Sequence, residues 1–396
     1  MTIFRMEFHK IVSKKYVWIF AIAIAAFYAL LLSGSSSSFG RLYHKALQPV
    51  FDEVNAAAYD PTISSYIIEK QYNVTVEEIK PFLSPEIEKT IESYKGQIYQ
   101  RMDVSDILWK KVKDYVVNLV TRIEDRKETI AKLEASPDTP LNRYLLNKYT
   151  NMPKIQANMT QWDSWIDTNK SLLPIVIAFV ILLGTSGVFS DEYSSKMHGI
   201  LLTCKKGRKE VFWAKLEASA LFSAICALIF QLLNAVIAAL YYGVPFTNTP
   251  LNSLTLFYQM PTTLSAVELY IFEILGSVVG AVVLSFVTMC ISSICHSNFL
   301  SFFISGIYFA IGFILSNALE ANFEQGGYLS TLLTLPGDVS TFSLMSLVNV
   351  FGNGKVFATA NFAIPTVLLT IVVQAVIFVI AIALIYYFYN RREVIA

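Results

Sequence analysis

Ser186 lies in the run Gly184-Thr185-Ser186-Gly187, a serine among small residues at the end of an apolar segment. A hydroxyl there could attack a peptide carbonyl inside a membrane, provided that a histidine on a facing segment took its proton. The histidines are His9, His44, His198 and His296, and each falls outside the apolar runs. Small residues at a helix end also let neighbouring helices approach closely, which is the reading favoured here. A nucleotide-binding loop is excluded as well. Gly354-Lys355 has Asn349 where the first glycine of a P-loop belongs and Val356 where a hydroxyl residue belongs. Cys204, Cys226, Cys290 and Cys295 form no CxxC pair, and there is no HExxH, so no metal site is expected. The chain is therefore not expected to be an enzyme.

The remaining chemistry-bearing residues are polar side chains embedded in apolar sequence. Glu268 and Glu273 lie in one such run, Gln231 and Asn234 in another, and Gln374 in a third. A charged side chain in hydrocarbon costs about 2.5–3.5 kcal/mol at mid-membrane, so these groups should face protein or water. Glu268, Glu273, Gln231 and Asn234 are candidates for lining a translocation pathway. Their structural alternative is to bind helices together or to reach the interface. Gly276 and Gly280, spaced four apart on the same run as Glu273, can seat a neighbouring helix.

The elements that must position these residues are membrane helices. Of 396 residues 54% are hydrophobic and only 15% charged, against about a quarter charged in soluble proteins. The net charge of +1 gives no reason to expect nucleic acid as a partner. A span needs about 20 mostly apolar residues. Six runs qualify: residues 16–33, 172–189, 212–242, 264–294, 299–317 and 363–389. The first has the basic start of a signal peptide but is longer than a typical signal core, so an uncleaved anchor is expected.

Basic residues set the orientation. Arg5, Lys10, Lys14, Lys15, Lys196, Lys205, Lys206, Arg208, Lys209, Lys215, Arg391 and Arg392 fall on one side, and Lys355 alone falls in the short loops of the other. Both termini are therefore expected to be cytoplasmic, with residues 34–170 outside the cell membrane. That insertion reads as helical. Ile87, Ile91, Tyr94, Ile98 and Met102 recur at helical spacing, as do Val104, Leu108, Val112, Tyr115, Leu119 and Ile123. Ser35 to Ser38 suit a flexible joint. The expected fold is an all-α integral membrane protein of six transmembrane helices, with a helical extracellular domain inserted between the first and second. Its parts are an interfacial amphipathic helix over residues 1–15, helix 1 over 16–33, the extracellular domain over 34–170, and helices 2–6 over 171–396.

The connection after the second span, residues 191–211, is the most informative segment. Glu192 ends the span. Lys196, Gly199 and the pair Leu201-Leu202 follow in an amphipathic stretch, then Lys205, Lys206, Arg208 and Lys209, with Lys215 entering the third span. This pattern resembles the coupling segment of ABC-2 type permeases, departing from it at Ile200 and at Lys205-Lys206-Gly207. The six spans, the insertion after the first, the amphipathic start and the polar segment Thr334 to Asp338 before the last span resemble that family too.

The resemblance implies a permease subunit of an ATP-driven transporter, an exporter of a peptide, antibiotic or lipid. It implies no cofactor in this chain, with ATP and Mg bound by separate ABC ATPase subunits. The other expected partners are a second permease copy or a paralogue, and membrane lipid. Glu192, Lys196, Gly199, Leu201, Leu202, Lys205, Lys206, Arg208 and Lys209 would couple to the ATPase, although the basic residues also serve to orient the chain. The competing class is a non-transporting membrane scaffold or sensor that binds through its extracellular domain.

Overall fold

The computed structural model describes residues 3–35, 46–99, 101–156, 161–195, 209–242, 249–258, 260–318, 334–352, 356–358 and 363–391. The chain begins with α1 (Ile3–Val12) and, after a sharp corner, α2 (Lys15–Ser35). Apolar sequence, with its one proline (Pro174) in the first turn of a helix, then builds the bundle: α10 (Leu172–Thr185) continuing as α11 (Gly187–Ser194), α12 (Lys209–Tyr242), α13 (Ala266–Ile294), α14 (Asn298–Ala318) and α17 (Thr366–Arg391). Among the described residues five helices are long and apolar enough to cross a membrane: Leu172–Ser194, Lys209–Ile237, Ala266–Ile294, Asn298–Asn317 and Thr366–Tyr389. Lys15–Phe27 adds a shorter apolar stretch. The first of the five is central, with 78% of its apolar window buried; the last two are peripheral at 28% and 22%.

Between α2 and α10 lies a helical unit with its own core. It comprises α3 (Phe51–Ala58), α4 (Pro61–Glu69), α5 (Val76–Ile79), α6 (Pro85–Glu92), α7 (Val104–Glu134) and α8 (Pro140–Thr150). Its helix starts follow from local chemistry. Asp60, Ser84, Asp103 and Thr139 each accept a backbone N–H at an N-cap, and three of these four are followed by proline at the first helical position. Ile63, Ile67, Ile87, Ile91, Leu108, Val112 and Val116 fill the core. A short α9 (Gln161–Lys170) leads into α10.

Two expectations are corrected here. The periodicity over Ile87 to Met102 does not make one helix: α6 stops at Glu92, Gly96 turns the chain at φ +83°, and β1 (Ile98–Tyr99) pairs antiparallel with β2 (Met102–Asp103). Ile98 and Met102 are consequently exposed, at 69% and 53%. A second hairpin, β3 (Val356–Ala358) with β4 (Ala363–Pro365), takes the first residues assigned to the last span. The fold is thus mostly helical rather than wholly so. The Ser35–Ser38 joint falls, past Ser35, outside the described residues.

The polar segment before the last span folds back into the bundle. A helical turn at residues 334–338, then α15 (Thr341–Met345) and α16 (Leu347–Gly352), are buried almost throughout. Gly276 and Gly280 on α13 make room for them. A Cβ on Gly276 would lie 2.9 Å from the Leu344 carbonyl oxygen, and one on Gly280 would lie 3.1 Å from the Met345 nitrogen. This is the close seating that their spacing predicts.

Candidate functional site

The amphipathic pattern of α1 buries Glu7 and Ile11 against the bundle. Glu7 is the one carboxylate among residues 1–15, so its burial requires a cation. That cation is Lys215, on the first turns of α12 and only 2% exposed. Its Nζ donates to the Val188 carbonyl at 2.7 Å and lies 2.8 Å from Glu192 Oε1 and 3.5 Å from Glu7 Oε2. The Phe189 ring lies beneath the same ammonium, with its centroid at 5.2 Å. Lys10 pairs with Glu7 and approaches Glu192 to 4.0 Å, while Lys14 reaches Asp191 at 3.2 Å. Three lysines and three carboxylates balance around a cavity of about 230 Å³.

The end of the second span is shaped to hold Glu192 there. At Ser186 the helix breaks its own ladder. The N–H groups of Phe189 and Ser190 donate to Ser292 Oγ on α13, at 3.2 and 3.1 Å, and Ser292 in turn donates to the Ser186 carbonyl at 2.6 Å. A side chain inserted in this way marks the joint at which α10 ends and α11 begins. The flanking glycines are packing sites: Gly184 lies against the Phe222 ring and Gly187 against Asp191 and Lys14. Ser186 Oγ donates to the Asn298 amide oxygen at 2.6 Å. The run is a helix joint, as its small residues suggest.

The residues expected to couple to an ATPase divide sharply. Glu192 is in the ionic cluster, and Lys209 opens α12 as an exposed residue. Lys196, Gly199, Leu201, Leu202, Lys205, Lys206 and Arg208 lie outside the described residues. Glu7 was not singled out from the sequence, although its isolation among basic residues is the signal that could have found it.

The embedded polar residues are placed apart from this cluster. Glu268 completes a capping box at the start of α13, accepting from the Ser265 N–H at 2.7 Å and its hydroxyl at 3.0 Å. Glu273, fully buried, accepts from the Val348 N–H at 3.0 Å and so holds the start of α16. Ser346 and Asn349 tie the same break to the Lys170 carbonyl, at 3.0 and 2.7 Å. Tyr308, Thr341 and Gln374 form a chain of hydrogen bonds of 2.7 and 2.9 Å, which ends on the Val339 carbonyl at 2.6 Å. Gln231 and Asn234 are buried on α12. Among the described residues the Gln231 amide has no hydrogen-bond partner.

At the far end of the bundle the helical unit docks onto the loop before α13. Arg122 donates to the Ser253 carbonyl at 2.8 Å and lies over the Tyr258 ring, while Asn252 donates to the Pro153 carbonyl at 3.0 Å. Among the described residues no group of three or more His, Cys, Asp or Glu could hold a metal ion.

Comparison with curated proteins and with solved structures gives no match. The family model described as ABC-2 family transporter protein matches residues 1–394. Permeases of that family carry no ATPase domain and work with separate ATP-hydrolysing subunits. With a bundle of long apolar helices and a match over nearly its whole length, this chain belongs to the ABC-2 family of transporter proteins.

Proposed function

We propose that the chain is the membrane permease of an ATP-driven exporter, working as a pair with a second copy or a paralogue. Two ABC ATPase subunits would supply the energy, binding ATP and Mg themselves. The proposed topology has six spans, α2 being the first, with both termini cytoplasmic and residues 34–170 outside. It is supported by the segregation of basic residues at the α1 end. A peptide, antibiotic or lipid substrate is proposed from the same family likeness.

The observation that carries the mechanism is the Glu7–Lys215–Glu192 cluster. Residues 195–209 connect α11 to α12, and the cluster joins both anchors of that connection to α1. A push on the connection would therefore move α1, α11 and α12 together instead of bending one helix end. Force from ATPase closure would reach the spans through this block. Lys196, Gly199, Leu201, Leu202, Lys205, Lys206 and Arg208 are proposed as the surface that meets the ATPase, with Lys209 at its membrane edge. Gln231 and Asn234 are proposed to line the pathway; Glu268 and Glu273, both engaged in helix caps, would hold its walls.

The test is co-purification from native membranes in mild detergent, followed by ATPase and transport assays in vesicles. A stoichiometric P-loop subunit is expected. Glu192→Gln should leave ATP hydrolysis in place while reducing transport, with assembly checked by size-exclusion chromatography. If the chain purifies without such a subunit, or with partners only on its 34–170 side, the permease reading fails. A membrane scaffold or sensor would then take its place.

A further inference from the structure

Beside the ionic cluster, on the outer surface of the bundle, α12 and α17 diverge and leave an open groove of about 700 Å³. Its floor is aromatic. Phe212, 2% exposed, meets Tyr386 and Tyr389 with ring centroids at 5.6 and 5.4 Å. Its walls are Trp213, Val379, Ala383 and Tyr386. Trp213, Val379 and Tyr386 remain 46%, 64% and 56% exposed, so the lining is apolar surface that the described residues leave uncovered. Lys209 stands at the mouth, exposed, and among the described residues no carboxylate pairs with it.

We propose that this groove binds an anionic phospholipid from the leaflet nearest α1, with an acyl chain in the groove and the phosphate on Lys209. The reasons are of two kinds. An apolar trough flanked by Trp and Tyr matches the boundary between tails and headgroups, where such rings settle. Lys209, the one cation among the described lining residues, then selects the headgroup. Two other cavities among the described residues lack this combination. The cavity at the ionic cluster has its three lysines matched by three carboxylates. The groove between α13, α15 and α17, about 520 Å³, has no charged residue among its lining side chains. The proposal rests on the membrane placement of the bundle and not on any ATPase, so it can fail while the permease reading stands.

The experiment is native mass spectrometry of the purified full chain with added phosphatidylglycerol or phosphatidylcholine of matched chains, together with cross-linking by a photoreactive phosphatidylglycerol. Wild type should retain the anionic lipid about fivefold better, the ratio equivalent to ~1 kcal/mol per basic residue at an anionic surface. Lys209→Glu should abolish that preference and Lys209→Arg should keep it. Ala383→Phe, which fills the trough, should lower retention of both lipids and remove the cross-link to α17. Lys209 and Ala383 are exposed, and a monodisperse elution profile confirms that each variant is folded. Equal retention of the two lipids by wild type, a preference that survives Lys209→Glu, or cross-links confined to other helices would overturn the proposal.

Discussion

Lys215 holds its ammonium group at 2% exposure, so the oxygens of Val188, Glu192 and Glu7 around it are a condition of folding. Removing one partner of a buried pair leaves an uncompensated charge and costs about 3–5 kcal/mol, whereas replacing the whole group by apolar residues can be neutral. Glu192→Ala should therefore destabilise the chain by an amount of that order in unfolding by sodium dodecyl sulfate. The triple change Glu7→Met, Glu192→Met, Lys215→Met should recover most of it. A triple variant as unstable as the single one would show that the cluster does not act as a unit. Asp103 gives a residue-scale effect of pH. Its carboxyl accepts from the N–H groups of Gly96 and Ser105, which hold it below the usual aspartate range. A lowered folded-state value favours the ionised form. Its contribution is thus present above about pH 4, the ordinary aspartate value, and lost as pH falls through the lower folded value. Protection at the start of α7, the exchange rate relative to its intrinsic value at each pH, should fall on acidification in the wild type and change less with pH in Asp103→Asn.

At the scale of elements, what matters is where a helix is broken. The α10–α11 joint depends on one hydroxyl, because Ser292 Oγ accepts the N–H groups of Phe189 and Ser190 where α10 ends and α11 begins. Ser292→Ala should strand them in the core at about 1–3 kcal/mol. A cysteine placed at Ser195 should then change its labelling rate, since α11 would lose its anchor. An unchanged rate would place the control of the joint elsewhere. Similarly, Gly280→Leu should expel α15 from its seat on α13 and cost about 1–3 kcal/mol, read as faster exchange over residues 334–352. The α6 region teaches a limit of periodicity. Ile98 and Met102 continue the helical spacing of Ile87 and Ile91, yet they end up exposed on a hairpin. Gly96 at positive φ and the carboxyl of Asp103, spent on capping α7, decide the local geometry instead.

Across the whole molecule, the helical unit of residues 46–156 has a separate core but does not swing free. Arg122 crosses to Ser253 and Tyr258, and the Gln156 N–H donates to Ser253 Oγ at 2.9 Å. Breaking the charged donor should loosen the joint without unfolding either side. Arg122→Ala is expected to speed proteolysis of the 249–258 loop while leaving exchange within α7 unchanged. For the proposed topology, a cysteine at Lys132 should react with an impermeant maleimide added to intact cells, and one at Lys10 only after permeabilisation. Cys204 is replaced by serine for this test, and the other native cysteines, Cys226, Cys290 and Cys295, are buried and give a low background.

The bundle was legible in the sequence because a span is a local property: about 20 apolar residues in a row fix its helix and its approximate ends whatever lies beside it. Helix starts at Asp60, Ser84 and Thr139 were equally local, written in a capping side chain followed by proline. Glu192 stood out because an acid at the end of an apolar run is conspicuous. Its partner Glu7, by contrast, is 185 residues away in the chain, and only the packing of α1 against α12 puts both carboxylates on one lysine. The same is true of Glu273, whose side chain could equally have faced a pathway. What it meets is the backbone of α16, which packs on α13 where Gly276, three residues further on, leaves room for Leu344 and Leu347. Local sequence decides which segments are helices, while the pairing of buried charges depends on which helices touch, and that is settled only when the chain is folded.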